Sequence, residues 1–232
     1  MLAGEKSYGT NGKQNFLFPL EIMWLTQGSY SHTYSHNGAY AMDFQGAKKN
    51  SSGNVVREYN CPVYAPFDCH CVAKWGSHIM VVWQSDNEVN FVDGTTGYAC
   101  IGLVHDDNAP NIQIGATRNQ GDIIAHTGTQ GASSDHIHIE AKKGIYNGYY
   151  ENSQGVYMMR DSTWLYNLMG VNDTILYKDY YVNQQGTKVD YDWKEFSEVG
   201  PTPPTPVEVE KFKSDFPWVI YSRKFRDERR NI

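Results

Sequence analysis

The segment Ser134-Asp135-His136-Ile137-His138-Ile139-Glu140 alternates polar and apolar residues over its last five positions. Successive side chains of a β-strand point to opposite faces of a sheet, so this alternation predicts a strand. His136, His138 and Glu140 then share one face, and the two isoleucines enter the other. Side chains two apart on one face are roughly 6.5–7 Å apart at Cα, because a strand rises ~3.3 Å per residue. The segment therefore predicts a β fold that presents two imidazoles together.

Much of the remaining chain has a strand-forming composition. Short segments rich in Val, Ile, Tyr, Trp and Thr are separated by Gly, Asn, Asp and Pro, which is typical of strands joined by tight turns. Such short connections favour antiparallel pairing. We predict a mainly β fold (β with minor α) with an antiparallel β-sheet core and strands at 39–45, 62–66, 69–75, 78–84, 88–92, 97–104, 122–126 and 136–142.

One helix is predicted, at residues 162–169. Asp161 or Ser162 can cap its first turn, Trp164, Leu165 and Leu168 supply apolar positions, and Gly170 follows as a stop signal.

The 232 residues divide into five predicted segments. These are a lead segment at 1–24, a core domain at 25–145, a Tyr-rich extension of the core at 146–200, a Pro/Thr linker at 201–206 and a basic, aromatic docking tail at 207–232. The linker composition favours extended polyproline geometry. Residues 211–232 carry seven Lys or Arg against three Asp or Glu, a charge opposite in sign to that of the whole chain.

Composition excludes two broad classes of function. The net charge is −6, opposite in sign to the basic surface that a general nucleic-acid binder requires. No apolar run approaches the ~18 residues of a membrane span, and the N-terminus lacks the basic and apolar pattern of a secretory signal. The four cysteines, at 61, 69, 71 and 100, are interpreted as reduced buried thiols, with a zinc cage as the less favoured alternative.

A second polar cluster lies at Ser35–Phe44, where His36 and Asp43 flank an Asn-Gly turn signal. On one uninterrupted strand these two residues would face opposite ways, but a turn at Asn37-Gly38 resets the alternation and brings them together. His36, Asp43 and one of His136 and His138 would give three N and O ligands and an open position, the pattern of a catalytic zinc.

The other histidines are interpreted as catalytic residues, as a rival ligand or as ordinary strand residues. The remaining member of the 136/138 pair, together with His105, would flank the metal as base or transition-state stabiliser. His32 is the main rival ligand, because it precedes His36 by four residues. His70 and His78 are interpreted as ordinary strand residues, and Glu140 either orients a ligand or is a solvated carboxylate.

Four stretches in the same order resemble the M23 zinc peptidases, the lysostaphin and LytM type of peptidoglycan endopeptidase. They are His36 to Asp43, Cys61-Pro-Val-Tyr-Ala-Pro-Phe-Asp68 with a strand after it, Tyr98 to His105, and Gly128-Thr-Gln-Gly131 through His136-Ile-His-Ile-Glu140. The resemblance covers roughly residues 25–145. The closing His-x-His-x-Glu after a Gly-rich loop is its most specific part.

The resemblance implies one Zn2+ per chain held by His36, Asp43 and His138, with His105 and His136 as the catalytic pair. It implies hydrolysis of peptide bonds in bacterial cell-wall peptidoglycan. Six residues separate His36 from Asp43 where the commoner family pattern has three, and the longer form is similar to phage tail peptidases.

A phage origin implies a place in the virion tail or release at host lysis, which needs no signal peptide, and other tail proteins as partners of the C-terminal tail. The alternative function is a non-catalytic tail-tip or wall-binding protein built on a degenerate peptidase fold.

Overall fold

The computed structural model describes residues 5–30 and 34–197. Its strands are β1 (Ile22–Gln27), β2 (Ala41–Phe44), β3 (Ala47–Lys49), β4 (Val55–Arg57), β5 (Pro62–Tyr64), β6 (Cys69–Trp75), β7 (Met80–Ser85), β8 (Val89–Asn90), β9 (Thr96–Gly97), β10 (Ala99–Val104), β11 (Thr117–Arg118), β12 (Ile123–His126), β13 (Ile137–Lys143), β14 (Tyr149–Glu151), β15 (Tyr157–Met159), β16 (Ile175–Lys178), β17 (Tyr180–Val182) and β18 (Lys188–Asp190). Three 3-10 helices span Tyr34–His36, Ala109–Asn111 and Leu165–Asn167.

Eight strands form the main sheet, in the order β11-β6-β7-β10-β13-β2-β1-β16. All neighbours pair antiparallel except β1 and β16, which are parallel. The mainly β prediction is thus confirmed, with one parallel pair at the sheet edge. Strand β13 lies between β10 and β2, and its His138 is directly opposite Asp43 on β2 and Val104 on β10. The centre of the sheet therefore gathers segments that are distant in sequence.

The core lies against the apolar face of this sheet. Ile137, Ile139 and Ala141 of β13 enter it, as the alternation predicts, while His138 and Glu140 take the other face. Phe44 of β2 packs edge-on against Phe18, with ring centroids 5.0 Å apart. Burying aliphatic or aromatic side chains of this size stabilises the fold by ~1.5–3 kcal/mol each.

Both flanking segments contribute to the same core. Phe16 and Phe18 come from the N-terminal lead segment, and Leu165 and Leu168 come from the Tyr-rich extension; all four are fully buried. The backbone of Gly170 bonds to Phe16 and Phe18, which ties the two flanks together.

The predicted helix at 162–169 is wrong, because this segment forms only the 3-10 turn Leu165–Asn167. Backbone groups around it bond to other segments: the Thr163 amide donates to Ala141, and the Leu168 carbonyl accepts from Val92. Trp164 has an extended ψ of 121°, so a helix cannot begin before Leu165, and Gly170 already pairs with Phe16 and Phe18. Neither Asp161 nor Ser162 caps the turn, and Asp161 has a φ of 59°.

Two further predictions concern the thiols and the membrane. The four cysteines are buried and unbridged, so the buried-thiol interpretation is confirmed. Within the described ranges, the helices are too short and too polar to cross a bilayer. The linker at 201–206 and the tail at 207–232 lie outside the described residues.

Candidate metal centre

Three predicted ligands converge on the polar face of β2 and β13, where all three side chains are buried. Asp43 and His138 are direct cross-strand neighbours, so the sheet register itself places them together. His36 ends the 3-10 helix Tyr34–His36, and the chain reverses at Gly38, whose φ is +72°, before β2 begins. A φ of this sign costs glycine nothing, whereas it disfavours residues with a Cβ. The Asn37-Gly38 turn thus returns His36 to the side of Asp43.

The three donor atoms are nearly equidistant. His36 Nε2 is 3.2 Å from His138 Nδ1 and 3.2 Å from Asp43 Oδ1, and His138 Nδ1 is 3.0 Å from Asp43 Oδ1. Two ligands that each lie ~2.0–2.1 Å from a tetrahedral zinc are about 3.3 Å apart. Among the residues described, these three form the group of His, Cys, Asp or Glu side chains whose donor atoms lie close enough together to hold one metal ion.

The outer nitrogen of each imidazole has its own partner. His36 Nδ1 donates to the Gly28 carbonyl at 3.0 Å, which leaves the Nε2 lone pair directed at the centre. His138 Nε2 contacts Glu140 Oε1 at 3.2 Å, and this contact directs Nδ1 to the centre. A carboxylate or carbonyl behind a ligating histidine fixes its tautomer and ring orientation. Both rings are therefore set to offer a nitrogen lone pair to a common point.

The electrostatics of the cluster favour a positive charge between the three donor atoms. Burial would raise the pKa of Asp43, but in the metal-free protein its electrostatic interaction with His36 and its hydrogen bonds with His138 and His36 hold this pKa well below its usual range. Burial would lower the pKa of His138, yet hydrogen bonds with Asp43 and Glu140 raise it to about 10 in the metal-free protein. Three converging electron-pair donors repel one another unless a proton or a metal ion lies between them. Donor type, spacing and charge thus all fit a divalent metal.

His105 and His136 lie beside this centre, with ring centroids 4.4 Å apart. His105 Nδ1 donates to the Gln130 carbonyl at 2.9 Å, and His136 Nδ1 donates to the Ser134 carbonyl at 2.7 Å. Burial, with the nearby His138 and His136, lowers the pKa of His105 to about 4. His105 is therefore neutral near pH 7, with a lone pair on Nε2.

The backbone at His105 is held in an uncommon conformation. Its φ is 82°, in the left-handed region that non-glycine residues rarely adopt. The loop after β12 supports it, because the Gln130 amide donates to the His105 carbonyl and Gly128 packs directly against that carbonyl. Gly128 also exchanges two backbone hydrogen bonds with His136, at 3.0 and 3.1 Å. One glycine thus sets the spacing of both histidines.

A cleft of about 670 Å³ opens over these side chains. Its walls are the turn at 75–80, the loop at 131–136 and the tip of the β14–β15 hairpin at 155–157. Gly and Ser are frequent in these walls, and none of its described lining residues is Lys or Arg. The described lining therefore offers no basic side chain to pair with an anionic ligand.

Sequence reasoning misassigned one residue of this site and left the role of another open. His78 is not a strand residue as predicted: it lies in the four-residue turn between β6 and β7, lines the cleft, and has its ring centroid 6.3 Å from that of His105. Glu140, left open above, is fully buried and contacts His138. Strand alternation indicated Glu140, whereas no local pattern indicated His78. The rival ligand His32 lies outside the described residues.

The chain has extended sequence similarity to a phage protein. No protein-family model matches the chain. The chain is 31% identical over 188 residues to Morphogenesis protein 1 of Bacillus phage B103, and the match covers 80% of this chain and 46% of that protein. The chain therefore spans about half the length of this curated relative.

The chain also has low structural similarity to solved structures of peptidases. A zinc-containing peptidase from Vibrio cholerae has a TM-score of 0.37 at 15% identity, covering 59% of this chain and 42% of its own. The catalytic domain of lysostaphin from Staphylococcus simulans has a TM-score of 0.31 at 18% identity, with coverages of 67% and 87%. Scores at this level assign no role to any residue. The firmer finding is that most of this chain is similar to part of a phage morphogenesis protein.

Proposed function

We propose that the protein is a zinc metalloendopeptidase that hydrolyses peptide bonds in bacterial peptidoglycan. The observation that carries this proposal is the convergence of His36 Nε2, Asp43 Oδ1 and His138 Nδ1 to 3.0–3.2 Å. Two imidazoles and one carboxylate are the donor set of hydrolytic zinc sites, which keep a further position open for water or substrate. The motif resemblance to M23 peptidases supports the same ligand set.

Zinc bound there would supply a Lewis acid that polarises a carbonyl and lowers the pKa of water. The protein contributes proton transfer through His105 and His136. Neutral His105 can accept a proton at Nε2 when water adds to the scissile carbonyl carbon. The proton then passes to the departing amide nitrogen, and the products are a carboxylate and a new amino group.

The substrate and setting follow from two supports. The cleft lies directly over the proposed ligands and catalytic histidines, and the wall peptides of bacteria, which are joined to a glycan, are its proposed substrate. The similarity to a phage morphogenesis protein supports a phage protein that acts in the virion tail or at host lysis. Other tail proteins are the proposed partners of residues 207–232.

The test combines metal content with product analysis. Purified full-length protein is titrated with zinc against a chelator and then incubated with purified peptidoglycan, and new amino termini are located by mass spectrometry. We expect one zinc per chain and new peptide amino termini. His138→Ala should lose both, whereas His105→Ala and His136→Ala should keep zinc and lose hydrolysis. His70→Ala is the matched control, because His70 is exposed and pairs with Asp86.

Three results would contradict the proposal in different ways. Absence of zinc binding would remove the metal site. Cleavage between sugar and peptide would place the protein among amidases instead. Zinc and wall binding without any released product, in wild type and His138→Ala alike, would favour the non-catalytic tail-tip alternative.

A further inference from the structure

The Tyr-rich extension contacts the site through the hairpin β14–β15. The amide of Met159, on β15, donates to Glu140 Oε2 at 2.7 Å. The other oxygen of the same carboxylate contacts His138 Nε2 at 3.2 Å. Glu140 and Met159 are fully buried, so water does not compete for either bond. One carboxylate thus joins the extension to a candidate metal ligand.

A second connection reaches His36 from residues 181–191. The Gly28 carbonyl accepts from His36 Nδ1 at 3.0 Å, and the Tyr181 ring and Tyr191 hydroxyl lie so close to Gly28 that a Cβ there would overlap both. The backbone amide of the next residue, Ser29, also hydrogen-bonds the Tyr191 hydroxyl. The two tyrosine rings are stacked, with an interplanar angle of 21°. Together they fix the position of the carbonyl that orients His36.

These two connections are independent, because they use different strands and reach different histidines. Each acts on the outer nitrogen of its ring, which is the atom that sets tautomer and orientation.

We propose that Met159, Tyr181 and Tyr191 are positioning residues of the metal centre, and that they set its affinity for zinc by orienting His138 through Glu140 and His36 through Gly28. The inference rests on the proposed function only in taking these two histidines as zinc ligands. It assigns the extension a role within the site, although it lies outside the stretch of motif resemblance.

The first experiment is Glu140→Gln in the full-length protein. The two contacts use different carboxylate oxygens, Oε1 for His138 and Oε2 for the Met159 amide, and glutamine would place an NH2 donor at one of these positions, so it cannot accept at both. Zinc affinity is measured by chelator competition, and the Co2+-substituted protein gives an absorption spectrum that reports ligand geometry. We expect zinc binding ~10- to 100-fold weaker, the usual loss for such a partner, and a changed Co2+ spectrum.

Glu151→Gln is the matched control for this change. Glu151 is an exposed residue on the same hairpin, so the same loss of charge there should leave zinc affinity and the Co2+ spectrum unchanged. Glu140→Asp, which keeps two acceptor oxygens on a shorter side chain, should recover part of the affinity.

The second experiment tests the His36 connection without touching Glu140. Tyr191→Phe removes the hydroxyl that contacts Gly28 and Ser29 but keeps the stacked ring. It should also weaken zinc binding and alter the Co2+ spectrum. Tyr177→Phe is the control, because Tyr177 packs on Trp24 instead.

The outcomes separate this inference from the proposed function. Wild type that binds no zinc would overturn the proposed function. Wild type that binds zinc, with Glu140→Gln and Tyr191→Phe folded and equal to it in affinity and spectrum, would overturn the positioning role alone. If Glu140→Gln does not fold, the zinc affinity and Co2+ spectrum of Tyr191→Phe test the positioning role.

Discussion

Substitution of Gly128 by Ala tests whether this glycine sets the spacing of His105 and His136. A Cβ atom placed on Gly128 would lie 2.3 Å from the His105 carbonyl oxygen and 2.9 Å from the Asp107 amide nitrogen. Both are backbone atoms, so no side-chain rotation relieves the overlap. Real Cβ contacts stay above 3.0 Å, and the backbone must therefore open by about 0.7 Å.

The expected cost falls mainly on catalysis. Inserting a methyl group into a packed position destabilises a protein by ~1–3 kcal/mol. A misplacement near 1 Å costs catalysis ~100-fold, so we expect Gly128→Ala to lower kcat by about 10- to 100-fold. Zinc content should not change, because Gly128 does not contact His36, Asp43 or His138.

The assay measures kcat and KM for release of new peptide amino termini, with zinc content and thermal unfolding on the same samples. Gly97→Ala is the control, because its Cβ would meet only Phe91, at an ordinary 3.5 Å. A folded Gly128→Ala protein with wild-type kcat would refute the reasoning. Loss of zinc together with activity would show that the loop supports the ligands instead.

Three further predictions address the cleft, the core and the thiols. His78→Ala should reduce kcat/KM by about 3- to 10-fold, the contribution of one hydrogen bond, and should leave zinc content unchanged. The control His70→Ala should change neither kcat/KM nor zinc content. A His78→Ala protein with the kcat/KM of wild type would exclude a contact between His78 and the substrate. Phe44→Ala should lower the free energy of unfolding by ~3–5 kcal/mol in denaturant titration, since its ring is fully buried; a loss below ~1 kcal/mol would contradict the assigned core. Burial raises the pKa of Cys61 to about 11 and of Cys100 to about 12. Thiol reagents should therefore label the native protein slowly at pH 8, faster as the pH rises, and rapidly in denaturant. Fast labelling of the native protein at pH 8 would contradict this burial.

Local sequence features predicted the strands of the site well. The predicted strand at 136–142 lies within one residue of β13 at each end, and the predicted strand at 69–75 has the observed bounds of β6. The Asn37-Gly38 signal indicated the reversal that returns His36 toward Asp43. These features depend on two-residue periodicity and on the φ freedom of glycine, which are properties of neighbouring residues.

Other local features were misleading because the surroundings decide them. Ser77-His78-Ile79 resembles a strand, but Trp75 pairs with Met80, and the four residues between them must reverse the chain. Ile79 consequently has a φ of 38°, which β-branched residues avoid. The spacing of the apolar residues at 164–168 resembles that of a helix, but the backbone on either side of them is hydrogen-bonded to distant segments.

The sequence alone therefore determined the β class, the alternation of β13 and the residue types available for a metal. Only the tertiary structure decided that Asp43 pairs with His138, that Glu140 joins His138 to Met159, and that Tyr191 packs against Gly28, whose carbonyl orients His36. The reason is physical: periodicity and turn chemistry act between neighbours in the chain. Register and buried hydrogen bonding, in contrast, depend on which distant segments share one core, and that requires the whole chain to be folded.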